Sequence, residues 1–286
     1  MQFWIIQTLN SLALGGLLFL LAAGFSLIFG LMRIANLTHG SLFMLGAYLG
    51  VTALRYVPNL WVAALVGGLL VAAFGGLVER FILRALTGNA LGQVLVTLGI
   101  SFILADLCLV VWGGDPIPVP TPPSLQQPIV IGGVAFPAYR LVVVLIAVVT
   151  AILLHLLMDR TRLGAMIRAG VDDMQMARAV GIPVSKLFTI VFCLGAGLAG
   201  AGGIIAGPIM SAYPGLDADM LPLALIVVIL GGVGSLLGAF VGSFITGMIY
   251  TFGSALLPDL AYVILFLPMI FVIAFRPRGL FGRQIT

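Results

Sequence analysis

The chain has 286 residues, 62% of them hydrophobic and only 8% charged, with a formal net charge of +4 and a mean hydropathy of +1.27. Soluble domains carry about 25% charged residues, so a water-facing globular surface is excluded and lipid is the solvent for most of the chain. The small positive charge sits at the ends of apolar segments and is not a nucleic-acid footprint.

Apolar segments run over 6–30, 37–54, 60–78, 91–112, 139–158, 187–209, 220–231, 234–257 and 260–275. The longer ones can cross a hydrocarbon core of about 30 Å. The first lacks a basic leading region and continues into a glycine-rich stretch, so it reads as a span and not as a removable signal. Between the first two lies "MRIANLTHGS" (32–41). Asn36 and Thr38 are N-cap residue types for the next helix, whose first amides and positive dipole end would face the break. At membrane depth this break would line a path; at the surface it is a tight turn. His39 there has three readings: a gate or structural hydrogen bond, a substrate contact, or proton coupling.

The fourth segment carries Asp106, about 10 Å of helical rise from its outer end. A carboxylate at that depth is costly, so it either faces the translocation path or, the favoured reading, hydrogen-bonds a neighbouring helix. Next comes a proline-rich loop over about 113–138, which prolines keep out of helix. Inside it, Ile129 to Phe136 has the form of a hairpin turning at Gly132-Gly133. The loop reads as a lid, as a docking surface, or as both.

Residues 159–186 form the one long polar island. Over 162–181, Met166, Ile167, Gly170, Met174, Ala177 and Gly181 recur at helical spacing among Arg168, Asp172 and Asp173, and Gly181 with Pro183 gives a stop. Its charges are mixed and its apolar face is rich in small residues, which suits a protein groove better than a bilayer surface. Further on, Gly195, Ala199 and Gly203, and then Gly234, Gly238 and Gly242, repeat every four residues, a spacing that lets helix backbones approach. They read mainly as packing within the chain, with contact to a second subunit as the other reading. "GSLFMLGAYLG" from Gly40 and "GSLLGAFVG" from Gly234 suggest a weak internal repeat in one orientation.

The basic residues set the orientation. With 159–186 inside, Arg33, Arg80, Arg84, Arg160, Arg162, Arg168, Arg178, Lys186, Arg276, Arg278 and Arg283 are inside, and only Arg55 and Arg140 are outside. The C-terminus is then cytoplasmic. No catalytic or metal constellation is visible. There is no P-loop and no HExxH, His39 and His155 are far apart, and adjacent Asp172 and Asp173 diverge on a helix. Cys108 and Cys193 sit in apolar runs as small hydrophobes.

The fold class expected is an all-α polytopic membrane protein, a single permease domain over 1–286. It has eight or nine membrane helices, some broken or re-entrant, a short β-like outer loop and a cytoplasmic helix. "GAMIRAGVDDMQMARAVGI" resembles the cytoplasmic EAA-type loop of ABC importer permeases, specifically the branched-chain amino acid (LivH-like) branch, at Gly164, Ile167 to Ala169, Asp172, Asp173, Ala177 and Gly181-Ile182. "GFSLIFGLMRIANLTHGSLFMLGAY", "LGGVGSLLGAFVG" and "RPRGLFG" also resemble that branch. The general loop opens with an acid where this chain has Arg168-Ala169-Gly170.

The resemblance implies a permease subunit in a bacterial inner membrane, carrying branched-chain or related amino acids. It implies coupling to two separate ATP-binding subunits through Gly164, Arg168, Ala169, Asp172, Asp173, Ala177 and Gly181. ATP and Mg would be bound by those partners, with no cofactor in this chain. A second, LivM-like permease and a periplasmic substrate-binding protein would complete the system. The rival reading is an ion-coupled secondary transporter of a small amphipathic solute, relying on Asp106.

Overall fold

The computed structural model describes residues 2–32, 36–276 and 278–282; Arg33 and Arg283 of the inner basic set lie outside the described residues. Helices α1 (Gln2–Met32), α2 (His39–Tyr56) and α3 (Leu60–Val78) come first. A π-helical turn (Glu79–Leu83) and a 3-10 turn (Arg84–Leu86) extend α3 before α4 (Ala90–Trp112). The strands β1 (Pro128–Ile131) and β2 (Val134–Pro137) lead into α5 (Ala138–Arg160). Then follow α6 (Arg162–Asp172), α7 (Met174–Ala179), α8 (Val184–Met210), α9 (Leu216–Gly231), α10 (Leu236–Leu256) and α11 (Ala261–Phe275).

Each apolar segment is a helix, and among the described residues six are long and apolar enough to cross a membrane: α1, α3 with its extension to Leu86, α4, α5, α8 and α10. α2, α9 and α11 are shorter, with 18, 16 and 15 residues. The expected hairpin is present, with Ile129 opposite Phe136 and Ile131 opposite Val134. Gly132 (φ +56°) and Gly133 (φ +78°) occupy its turn, the two positive φ values that a type I′ turn requires.

Small residues decide which apolar helix is inside, because lipid and protein interior are equally apolar. The spanning window of α1 is 83% buried and that of α8 61%, against 17% for α5. α8 is the centre of the bundle. Its Gly195 faces Gly24 and Ile28 of α1, Gly203 faces Phe43 and Ala47 of α2, and Gly200 faces Val71 of α3. At several of these crossings a Cβ would overlap the opposite backbone, so glycine is what lets the helices touch. Gly238 and Gly242 similarly face Gly231 and Val227 of α9. Gly234 is not on the α10 face expected for it: it lies in the preceding turn at φ +74° and meets Gly30.

These pairings also give the directions. α1 and α3 run against α8, whereas α2, α4 and α10 run with it. One end collects Arg84, which donates to the Ser185 carbonyl (2.9 Å), together with α6, α7 and the 278–282 tail, whose Leu280 and Phe281 amides donate to Leu230 and Gly231 at the end of α9. Arg55, beside Pro118 and Pro120, and Arg140, donating to Asn10, lie at the other. The two "GS" motifs do open helices of one sense, yet Gly40 sits beside the level of Leu21 and Gly234 at Gly30. An offset of about 13 Å along α1 separates them, so they are not equivalent positions.

Candidate functional site

The polar island folds back on the bundle. Thr161 Oγ1 accepts from the Gly164 amide (3.1 Å) and caps α6. Gly164 packs against the Leu157 and Met158 carbonyls where a Cβ would overlap them, which lets α6 turn sharply off α5. Arg168 then reaches back, donating to the Met158 carbonyl and to the Asp159 carboxylate at 3.1 Å; Asp159 also meets His155 Nδ1 at 3.1 Å. A guanidinium on the last carbonyls of α5 suits the negative end of that helix. Arg168 is therefore spent on holding α6 to α5.

The single helix expected over 162–181 is in fact two. Asp173 has extended backbone (φ −149°, ψ 104°), ending α6, and its side chain accepts from the Gln175 and Met176 amides to start α7. An N-cap aspartate outcompetes helix continuation here. α7 ends on Gly181 at φ +87°, with the Gly181 amide on the Arg178 carbonyl and the Ile182 amide on the Ala177 carbonyl, both 3.0 Å. That is the double-bonded glycine stop.

The small-residue face points the other way from expectation. Ile167, Gly170 and Ala177 are buried, and Gly170 lies against Leu31 of α1 and Leu187 of α8. Ala169 is partly covered. The open side carries Asp172, Gln175, Met176, Arg178 and Val180, with Met176 60% and Val180 68% exposed. Sequence reading overlooked Met176 and Val180, although two apolar residues one turn apart among charges were a visible signal. At the same end of the bundle, the fully buried Glu79 pairs with Arg84 (3.0 Å) and accepts from Thr189 (2.6 Å), tying the end of α3 to the start of α8.

A second polar cluster lies at the depth where α2 and α9 begin. The His39 Nε2–H donates to the Leu21 carbonyl at 2.9 Å, placing the start of α2 about 16 Å back along α1 from Met32. Thr38 does not cap α2 with its side chain; its hydroxyl donates instead to the Thr97 carbonyl (2.8 Å). Asn36 Oδ1 accepts from the Thr38 amide (3.2 Å). All three are buried.

Ser41, one turn on, donates to Asp217 of α9 (2.9 Å) and shares a 2.6 Å bond with Ser101, the midpoint residue of α4. Gly40 faces the Asp217 backbone so closely that a Cβ would stand 2.7 Å from its carbonyl. Two helix N-termini thus meet halfway through the bundle, the arrangement that broken helices use to build midplane sites. Asp217 was missing from the sequence expectations. Asp106 was among them and stands apart: it is exposed on α4 beside Phe102, Ile103 and Val110. It makes no hydrogen bond to a neighbouring helix among the described residues, contrary to the favoured expectation. Among those residues no group of acids, histidines and cysteines is placed to hold a metal.

Known proteins match this architecture along its length. A solved structure, PsaBC from Streptococcus pneumoniae in complex with Fab, aligns with a TM-score of 0.50 at 15% identity, covering 93% of this chain and 89% of that one; the likeness is one of fold. The chain is 28% identical to the high-affinity branched-chain amino acid transport system permease protein BraD of Pseudomonas aeruginosa, covering 97% of this chain and 95% of BraD. It is 26% identical to the corresponding permease protein LivH of Escherichia coli, over 98% and 96% of the two chains. These alignments take in the polar island and the α2–α9 crossing alike. With residues 7–273 matching the family described as "Branched-chain amino acid transport system / permease component", the chain belongs to that family of multi-pass membrane proteins.

Proposed function

We propose that this chain is the membrane-spanning permease subunit of an ATP-driven importer carrying branched-chain or related amino acids across the bacterial inner membrane. The observation that carries the reading is the α6–α7 unit: one face is packed on α1 and α8, and the residues left exposed, Asp172, Met176, Arg178 and Val180 among them, stand open at the basic end. The positive-inside rule puts that end, and the C-terminus, in the cytoplasm.

Two separate ATP-binding subunits, which hold ATP and Mg, grip the open face. Their closure moves α6 as a rigid lever. The Arg168 clamp passes the movement to α5, the Gly170 contact passes it to α1, and Leu187 with the Glu79–Arg84–Thr189 link passes it to α8 and α3. The α2–α9 crossing, with Asn36, Thr38 and His39 beside it, opens alternately to either side. A LivM-like second permease completes the channel, and a periplasmic binding protein delivers solute to the end bearing the proline loop. The ion-coupled alternative loses its support at Asp106, which faces outward with Phe102 and Val110.

Purification of the tagged chain from its own host, followed by mass spectrometry and leucine uptake in proteoliposomes, tests this. Co-purified ATPases and ATP-dependent uptake are expected. A chain that comes alone, and uptake abolished by an ionophore instead of by ATP removal, would replace this reading with the ion-coupled one.

A further inference from the structure

At the end opposite α6–α7, the proline loop is tied to the bundle through one residue pair. The Ile117 amide donates to the Ala212 carbonyl at 2.8 Å, and the Ala212 amide donates back to Ile117 at 3.0 Å, an isolated bridge outside the β1–β2 hairpin. Pro116, Pro118 and Pro120 alternate with Ile117 and Val119. They favour extended backbone and remove the N–H groups from one edge of this stretch, so its donors point only to the side of Ala212. Val119 is buried against Gly207 of α8, where a Cβ would stand 2.5 Å from the valine side chain. With its flanking prolines it also lines a space of about 200 Å³ shared with Val51, Leu54 and Arg55 of α2.

Ser211 lies between Gly207 and Ala212. Its backbone (φ +65°, ψ 169°) occupies a region that glycine alone adopts freely. Among the described residues it is the one non-glycine at positive φ. Such strain persists only where the surroundings over-determine it, and it collects in elements that switch between two arrangements. Here α8 holds one side, through the Ser211 amide on the Gly207 carbonyl (2.7 Å), and the Ile117 pair holds the other. Relaxation of Ser211 to negative φ would turn the chain beyond it and carry Ala212 away from Ile117. The joint connects both ends of the proposed mechanism. α8 before it begins beside α6, at the Leu187–Gly170 contact, and α9 after it starts with the Asp217–Ser41 bond of the crossing.

We infer that the Ile117–Val119 stretch is a releasable latch across the outer ends of α2 and α8, closed in this structure, and that strain at Ser211 biases it toward opening. That the open latch admits an amino acid rests on the function proposed above; that it opens does not.

The test uses the whole transporter in proteoliposomes, in a Cys108→Ser, Cys193→Ala background. Ile117→Cys with Ala212→Cys puts thiols on a pair that exchanges both backbone bonds, where Cα atoms stand about 5.5 Å apart and a disulfide can form. Oxidising that pair is expected to cut leucine uptake about tenfold or more, as a jammed lid does, and a reductant to restore it. Uptake at the parent rate by the oxidised pair overturns the latch, and so does a pair that will not oxidise. Val119→Cys, alone in the same background, reads opening directly, because a membrane-impermeant methanethiosulfonate reaches that buried position only when the loop lifts. Ser211→Gly relieves the strain, so it is expected to slow this labelling about fivefold or more while raising the melting temperature. A raised melting temperature with unchanged labelling makes Ser211 a structural residue only and overturns its role in the latch. If the parent complex carries no leucine, the amino-acid reading falls, and Val119→Cys labelling still decides the latch.

Discussion

Asp217 of α9 accepts a 2.9 Å hydrogen bond from Ser41 of α2, and that bond joins the first turns of two helices that start inside the bundle and run to opposite ends. Each helix contributes a positive N-terminal end to the same point, which is why an acid is tolerated there. Ser41 also meets Ser101, so three helices share one polar node.

Ser41→Ala and Asp217→Asn therefore differ in a defined order. Removing the serine leaves a buried carboxylate short of its donor, a penalty of about 1–3 kcal/mol. Asparagine keeps an acceptor and removes the charge. Melting of the purified protein in detergent should show Ser41→Ala as the less stable of the two. The reverse order would mean that the charge itself, and not its hydrogen bond, holds the crossing together.

Arg168 offers a sharper case, because its partner lies outside the motif that contains it. It bonds Asp159 and the Met158 carbonyl, not Asp172. Arg168→Glu should disconnect α6 from α5 and cut ATP-dependent uptake by at least tenfold, about 1.4 kcal/mol or more of lost coupling, with membrane insertion unchanged. Adding Asp159→Arg should restore part of the uptake, while adding Asp172→Arg should not. Rescue by Asp172→Arg would assign Arg168 to the face that meets the ATPase.

Hydropathy and turn chemistry were enough to find every apolar helix and the Gly132-Gly133 hairpin, since those depend on local composition. The burial of α1 against the exposure of α5 was not legible, because both are apolar and only glycine placement separates them. Asp217 was missed because "SAYPGLDADM" reads as a loop between apolar runs. The available signal was Gly215 followed by acids, a helix start with an acidic first turn. Arg168 and Asp173 were identified as charged residues on one helix; their roles as clamp and cap depend on where α6 ends, which spacing alone does not give.

The glycines supply a prediction with its own control. A Cβ on Gly46 would overlap the Gly200 backbone, whereas nothing stands within 4 Å of Gly99. Both lie inside helices, so intrinsic propensity changes equally in the two. Gly46→Val should abolish the monodisperse peak in size-exclusion chromatography, and Gly99→Val should leave it. Equal behaviour would show that α2 and α8 separate at no cost, which contradicts their close packing.

Asp173 distinguishes a structural acid from a contacting one. Its side chain caps α7 at 2.8 and 2.9 Å, a role that asparagine fills equally well and alanine does not, at a cost of about 1 kcal/mol. Asp173→Asn should therefore keep ATP-dependent uptake near the level of the parent chain, and Asp173→Ala should lower it. Asp172 is exposed, as is Met176, and among the described residues it has no such task in the fold. If it meets the ATPase, Asp172→Asn should weaken recovery of the ATPases with the tagged chain without altering its melting temperature, and Met176→Ala should do the same. Should Asp173→Asn instead abolish co-purification, the negative charge at the α6–α7 break would itself be part of the docking surface, and the cap would be secondary.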